Sequence, residues 1–222
     1  MKKGLWLSIA CLSCLWAGQA QAIPISTLFN TGVDDPSGAV LADNTIGDPH
    51  YTLTVVPGGT TDIRIRTSDS GFPIPPYFGD NTLSRWIGPD NSTSLDGPNG
   101  TYIYSTTFNL TGFDPSTAAI TGGWATDNIG PNIFLNGNPV AGPPSLGFSS
   151  FTPFSVTSGF NPTVNTLGFR LFNTGGPTAL RVEMTGGADP LVTPVPEPST
   201  MLLLATGLAG ILGYGWRRKR AA

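Results

Sequence analysis

The sequence has very little of the chemistry on which most enzymes depend. It contains one histidine, His50, and two cysteines, Cys11 and Cys14, which both fall within the first apolar run. A His-rich or thiolate metal site cannot be built from this set. Beyond that run the chain has no cysteine, so no disulfide can staple it, and its stability must come from a packed core.

The sequence patterns of several enzyme classes are also missing. Only two glutamates occur, Glu183 and Glu197, and there is no Gly-x-Ser-x-Gly elbow, Walker motif or dinucleotide fingerprint. His50 follows Asp48-Pro49 and is interpreted as a turn residue rather than a general base. We therefore expect no enzymatic activity. A hydrolase is the weakest alternative, because it would need two converging aspartates that lie in turn sequences.

Charge is scarce, at 11% of all residues, and it is unevenly placed. Residues 23–198 contain five arginines, no lysine and all 14 acidic residues, which gives a formal net charge of −9. Nucleic-acid binding requires basic side chains that neutralise phosphates, so this body argues against a nucleic-acid partner. An acidic, lysine-free body suits a soluble exported protein.

Glycine and proline, in contrast, are abundant. The 29 glycines and 21 prolines are about twice the usual share, and both are poor helix formers. Between these turn residues, short segments rich in aromatic and β-branched residues recur at 51–56, 62–67, 101–110, 117–125, 132–135, 164–172 and 179–184. Asn136-Gly137 is typical of a tight hairpin turn. The sequence predicts an all-β fold, an antiparallel jelly-roll-like β-sandwich over residues 23–188.

Residues 1–22 have the pattern of a secretory signal peptide. Lys2 and Lys3 precede a short apolar stretch, and Ala20 and Ala22 form a small-x-small cleavage site. We expect cleavage after Ala22, because the apolar run is too short to favour an uncleaved anchor. A linker over residues 189–194 is expected to follow the sandwich.

Residues 195–222 form a tail with three parts. They are the Pro196-Glu197-Pro198 triplet, an uncharged span over 199–216, and the basic residues Arg217, Arg218, Lys219 and Arg220. A helix of 18 residues is about 27 Å long, close to the roughly 30 Å hydrocarbon core of a bilayer. The sequence therefore predicts a single transmembrane helix at about 199–216, with its basic end in the cytoplasm.

The tail closely resembles the PEP-CTERM sorting domain of exported proteins from Gram-negative bacteria. The resemblance implies that exosortase, a membrane-embedded cysteine transpeptidase, reads Pro196, Glu197 and Pro198 together with the basic residues. It further implies partners in the secretion machinery, a transient anchored intermediate in the inner membrane, and a final location in the cell envelope or extracellular matrix. A plain single-span anchor is the alternative interpretation.

The body shows a second resemblance, over roughly residues 101–186. Segments 106–110, 119–128, 134–137, 159–160, 165–167 and 180–182 follow an order similar to the galactose-binding-domain-like jelly roll found in sugar-binding modules. Fold resemblance alone does not transfer sugar binding. We expect a non-enzymatic envelope or matrix protein with a structural or adhesive role linked to exopolysaccharide and biofilm. The alternative is a carbohydrate-binding module that uses exposed aromatic residues.

Four residues are the candidate ligand contacts of that alternative. Trp86 and Tyr77 occur in loop-like sequences, where exposed rings would be able to stack on sugars, but packing in the core or at its rim is the favoured interpretation for each. Asp127 and Asn128 would supply polar groups to the same site. Trp124, within a predicted strand, is expected in the core. No cofactor is expected. A structural calcium ion is a hypothesis only. The acidic pairs, Asp-Asp at 34–35 and Asp-Asn at 43–44 (with Asp48), 80–81, 90–91 and 127–128, offer oxygen ligands without a known calcium-loop spacing.

Overall fold

The structure is a computed structural model that describes residues 22–68, 72, 76–191 and 200–220. The chain divides into two compact units, Met1–Pro190 and Leu191–Ala222. Of the predicted signal peptide only Ala22 is described, and it is exposed. The rest of that segment, including Ala20, lies outside the described residues, so cleavage after Ala22 stays a prediction.

The described part of the first unit consists of β-strands and turns. The strands are β1 (Ile23–Pro24), β2 (Tyr51–Val55), β3 (Ile63–Arg66), β4 (Trp86–Pro89), β5 (Gly100–Asn109), β6 (Ala119–Asp127), β7 (Ile129–Leu135), β8 (Asn138–Pro139), β9 (Thr152–Val156), β10 (Val164–Asn173) and β11 (Ala179–Ala188). Each segment that the sequence predicts as a strand overlaps one of these. The prediction of an all-β body is confirmed.

The strands form two antiparallel sheets. The first sheet has the order β3-β4-β11-β6-β9, with β1 also paired to β11, and the second has the order β2-β5-β10-β7-β8. Alternate residues of both sheets meet in one apolar core, which includes Tyr102, Tyr104, Trp124, Phe169 and Val182, all fully buried. This arrangement is a β-sandwich, and Trp124 lies in its core as predicted.

The longest pairing in the second sheet joins β5 and β10 over their entire lengths, from Val164 opposite Asn109 to Asn173 opposite Gly100. β7 turns into β8 at Asn136-Gly137, whose φ angles are 52° and 82°. Positive φ at both positions is the reason that Asn-Gly favours this turn. The predicted hairpin turn is therefore confirmed.

Two strands were hidden in the sequence by residues that normally mark loops. β4 contains Gly88 and Pro89, yet all four of its residues are buried, and β9 includes Pro153 at the edge of the first sheet. Proline is tolerated at strand ends and on edge strands, where no ladder hydrogen bond is lost. The loop predicted around Trp86 is thus a buried strand.

The second unit contains one helix, α1 (Thr200–Arg220). The prediction of a transmembrane helix is wrong, because none of the helices in the described ranges is both long enough and apolar enough to cross a membrane. Four glycines and four basic residues occupy eight of the 21 positions of α1 and lower its apolar content. The membrane-anchored intermediate stays a prediction.

Candidate functional site

The aromatic residues that the sequence marks as ligand contacts lie in a closed cluster. Trp86 points away from the main core, onto the outer face of the first sheet, and is fully buried. Its ring contacts Tyr77 edge-on at 4.9 Å and Phe78 at 5.2 Å between centroids, and its indole nitrogen donates to the Phe78 carbonyl at 3.3 Å. Tyr77 also stacks on Phe148 at 4.7 Å. Trp86 and Tyr77 are therefore packed against the sheet, the interpretation that the sequence favoured, and not exposed as the carbohydrate-binding alternative requires.

The structure does bring the four predicted residues together. The Tyr77 hydroxyl donates a short hydrogen bond to Asp127, and the Asn128 amide donates to the same carboxylate at 2.8 Å. Burial raises the pKa of Asp127 above the usual carboxyl range, while these two hydrogen bonds oppose the shift. Burial likewise raises the pKa of Tyr77. These contacts fasten the loop that carries Tyr77 to the end of β6, and they bury the rings of Trp86 and Tyr77.

Arg181 lies beneath the same cover and is fully buried. Its side chain donates to the Ser84 hydroxyl at 2.7 Å and to the Gly79 carbonyl at 2.8 Å, and its guanidinium carbon lies 4.7 Å from the centre of the Phe78 ring. Burial lowers the pKa of Arg181 to about 10, although Glu183 at 3.7 Å favours the charged form. The outer face of the first sheet is thus covered by loops that are fixed by aromatic and charged contacts.

His50 and its neighbours form a turn that is held by hydrogen bonds to the backbone. The His50 ring stacks on Phe29 at 3.6 Å, and its Nε2 lies 3.2 Å from the Asp34 carbonyl oxygen. Asp48 accepts three backbone N–H bonds, from Gly32, His50 and Tyr51. Desolvation raises the pKa of Asp48, and those N–H bonds limit the shift. The interpretation of His50 as a turn residue agrees with these contacts.

The acidic pairs that suggested calcium are bound to the protein itself. Asp43 forms an ion pair with Arg66 at 3.3 Å and accepts from the Thr67 N–H at 2.7 Å, and Asp90 is paired with Arg64. Within the described ranges, no group of three His, Cys, Asp or Glu residues is placed to hold a metal ion. The structural calcium ion stays a hypothesis without an identified set of ligands.

The outer face of the second sheet differs from that of the first. It contains an open depression of about 310 Å³ lined by Ile103, Ser105, Phe134, Gly137, Thr166 and Gly168. These residues belong to β5, β7, β10 and the turn after β7. The alternating pattern of β10 in the sequence is sufficient to place Thr166 and Gly168 on one face, but it gives no indication that the face is uncovered.

The basic residues of the predicted sorting signal form the last turn of α1. Arg217, Arg218, Lys219 and Arg220 are all exposed, and the Arg220 guanidinium carbon lies 4.5 Å above the Trp216 ring. Cations at the carboxyl end of a helix interact favourably with its dipole. Pro196, Glu197 and Pro198 lie outside the described residues.

A family model described as the PEP-CTERM protein-sorting motif matches residues 194–220. The chain carries a PEP-CTERM sorting motif. The match includes the Pro196-Glu197-Pro198 triplet and all four basic residues, so the resemblance seen in the sequence is confirmed. A PEP-CTERM motif implies a secreted, membrane-transiting protein that exosortase sorts to the cell surface.

No curated protein matches the chain. Among solved structures, CBM35 from Paenibacillus barcinonensis is similar to it, at 18% sequence identity and a TM-score of 0.35, over 63% of this chain and 97% of that chain. A likeness at this score carries no conclusion about ligand binding.

Proposed function

We propose that this protein is a non-enzymatic component of the bacterial cell envelope or extracellular matrix. Exosortase cleaves it near Pro196-Glu197-Pro198, and its β-sandwich then has a structural or adhesive role together with exopolysaccharide. The observation that carries the proposal is the PEP-CTERM motif, which matches residues 194–220 downstream of a sandwich body.

The internal bonding of the body supports a structural role. The two buried aspartates are engaged in holding the fold: Asp127 is bound by Tyr77 and Asn128, and Asp48 is bound by three backbone N–H groups. A general base or nucleophile requires a reactive group that reaches a substrate, and these carboxylates are buried.

Mass spectrometry of protein recovered from the envelope and the medium tests the sorting step. We expect mature chains that lack residues 217–222, and a substitution of Pro196-Glu197-Pro198 by three alanines should leave the tail attached. A mature chain that still carries Arg217 to Ala222 in the native strain contradicts processing. The matrix role is tested separately, by measuring how much native protein co-purifies with exopolysaccharide washed from the cells.

A further inference from the structure

The depression on the second sheet exists because one strand position has no side chain. In the register of the sheet, Gly168 lies opposite Ser105 on β5 and opposite Phe134 on β7. A β-carbon added at Gly168 would be 3.5 Å from an Ile103 methyl group and 3.8 Å from the Phe134 β-carbon. The two apolar side chains therefore flank a floor made of backbone, with hydroxyl groups of Ser105 and Thr166 at the margin.

A guanidinium group lies on the same face, two residues further along β10. Arg170 is opposite Ile103 and Asn132 in the register and is half-buried. Its Nε atom is buried and has no hydrogen-bond partner in the structure. The structure gives the rest of the Arg170 guanidinium group no hydrogen bond or ion pair to the described part of the protein either, so this group is free to pair with an anionic ligand.

Arg170 differs from the other arginines of the body in the partners of its guanidinium group. Arg64 and Arg66 are paired with aspartates, Arg181 lies beside Glu183, and Arg85 donates to backbone carbonyls. Among these five arginines of the body, all within the described residues, Arg170 alone has neither an acidic partner nor a hydrogen bond. A body with a formal net charge of −9 thus keeps one cation unpaired.

No other charged side chain lies beside Arg170 on the outward positions of the described strands of this sheet. The outward positions of the four longest strands of the sheet carry hydroxyl, amide, apolar and glycine residues and no carboxylate: Thr52 and Thr54; Thr101, Ile103, Ser105, Thr107 and Asn109; Asn132 and Phe134; Val164, Thr166, Gly168, Arg170 and Phe172. An incoming anion therefore meets attraction from Arg170 without repulsion from a neighbour on this face. A larger groove of about 530 Å³ between β8 and residues 155–159 has no charged or aromatic lining residue.

We propose that this outer face binds a carboxylated polysaccharide. Arg170 pairs with a sugar carboxylate, the Phe134 ring lies against a sugar ring, and the hydroxyl groups of Ser105 and Thr166 bond to sugar hydroxyls. From β2 to β7 the face spans three strand spacings, about 14 Å, so it accommodates a chain segment rather than one monosaccharide. The inference rests on the proposed role with exopolysaccharide and assigns its ligand class and its site.

Affinity electrophoresis of the full-length protein in gels that contain polygalacturonate tests the site. Methyl-esterified polygalacturonate is the matched ligand control, because it keeps the sugar chain and removes the charge. We expect retardation by the acid form, weakening as salt is raised, and little retardation by the ester. Arg170→Gln should weaken binding by about tenfold or more, because it removes a charge-assisted hydrogen bond. Arg170→Lys should retain part of the affinity.

Arg85→Gln is the matched control variant, since it removes the same charge from the same body but outside this face. Equal retardation of the Arg170→Gln and native proteins overturns the site, as does equal retardation by acid and ester. A native protein that binds neither polymer also overturns it, and retention of the same protein by a peptide instead would identify a different ligand class. Tail processing, measured in the same variants, stays normal in all of these cases if the sorting part of the proposed function is right.

Discussion

Replacement of Trp86 by alanine distinguishes most directly between the exposed tryptophan of the carbohydrate-binding alternative and the buried tryptophan that the structure shows. The Trp86 side chain has no exposed area, and three aromatic rings lie within 6.5 Å of it, those of Phe72, Tyr77 and Phe78. Truncation would leave a cavity on the outer face of the first sheet, and the Phe78 carbonyl would lose its hydrogen bond to the indole.

The magnitude follows from the burial. Replacing a fully buried tryptophan by alanine costs about 3–5 kcal/mol of the free energy of unfolding. For a domain of this size, 1 kcal/mol corresponds to roughly 2–4 °C in Tm, so Trp86→Ala should lower Tm by on the order of 10 °C. An exposed tryptophan would instead change stability by no more than about 0.5 kcal/mol.

Thermal unfolding of the full-length protein, followed by circular dichroism, measures the difference. Trp216→Ala is a matched control, because Trp216 is 67% exposed on α1, and its removal should leave the Tm of the sandwich unchanged. A Trp86→Ala protein with native Tm but weaker polysaccharide binding would refute the reasoning and restore Trp86 as a ligand contact. Acrylamide quenching of tryptophan fluorescence gives an independent measure of its burial.

Three further predictions follow from the body. Burial raises the pKa of Asp127, so at pH values above the ordinary carboxyl pKa the folded state binds more protons than the unfolded state. The free energy of unfolding should therefore fall as pH rises through the raised pKa. In urea unfolding measured over a series of pH values, Asp127→Asn should reduce this dependence of the free energy of unfolding on pH. Gly88→Ala should lower Tm by several degrees, because its β-carbon would lie 2.7 Å from Leu95 Cδ1 and 2.7 Å from the Thr178 carbonyl oxygen, whereas Gly168→Ala should not. Chelation with EDTA should leave Tm unchanged, since the acidic pairs are bound internally, and a drop of several degrees would revive the calcium hypothesis.

The sequence was sufficient to predict the long strands because their alternation is strong. In the middle of β5 and β10, large apolar residues alternate with outward residues, as at Tyr102, Tyr104, Leu167, Phe169 and Leu171, and such a pattern is typical of a strand with one covered face. β4 could not be recognised in this way, since all four of its residues are buried. The Trp86 side chain points outward from the sheet and is covered by a loop. No pattern within the residues of β4 indicates this burial.

Of the candidate site residues, those in a short linear motif were predictable and those that depend on tertiary contacts were not. The sorting signal is contiguous, so its triplet and its basic end are visible directly in residues 194–220. Arg170 stands in an unremarkable position of a strand, and what distinguishes it is that no acid lies opposite it. That property depends on which strands flank β10, and the register of β5 and β7 cannot be obtained from the alternation of β10 alone.

The internal pairing of the polar groups also explains how an exported body without disulfides is kept folded. Asp48 accepts hydrogen bonds from the backbone N–H groups of Gly32, His50 and Tyr51. Asp43 accepts one from the backbone N–H directly after β3. A buried charge without a partner is costly, and the other four arginines of the body have an acidic or carbonyl partner. Arg170 has no such partner among the described residues and lies on the sheet face that is left open, and this is the reason to look for the ligand there.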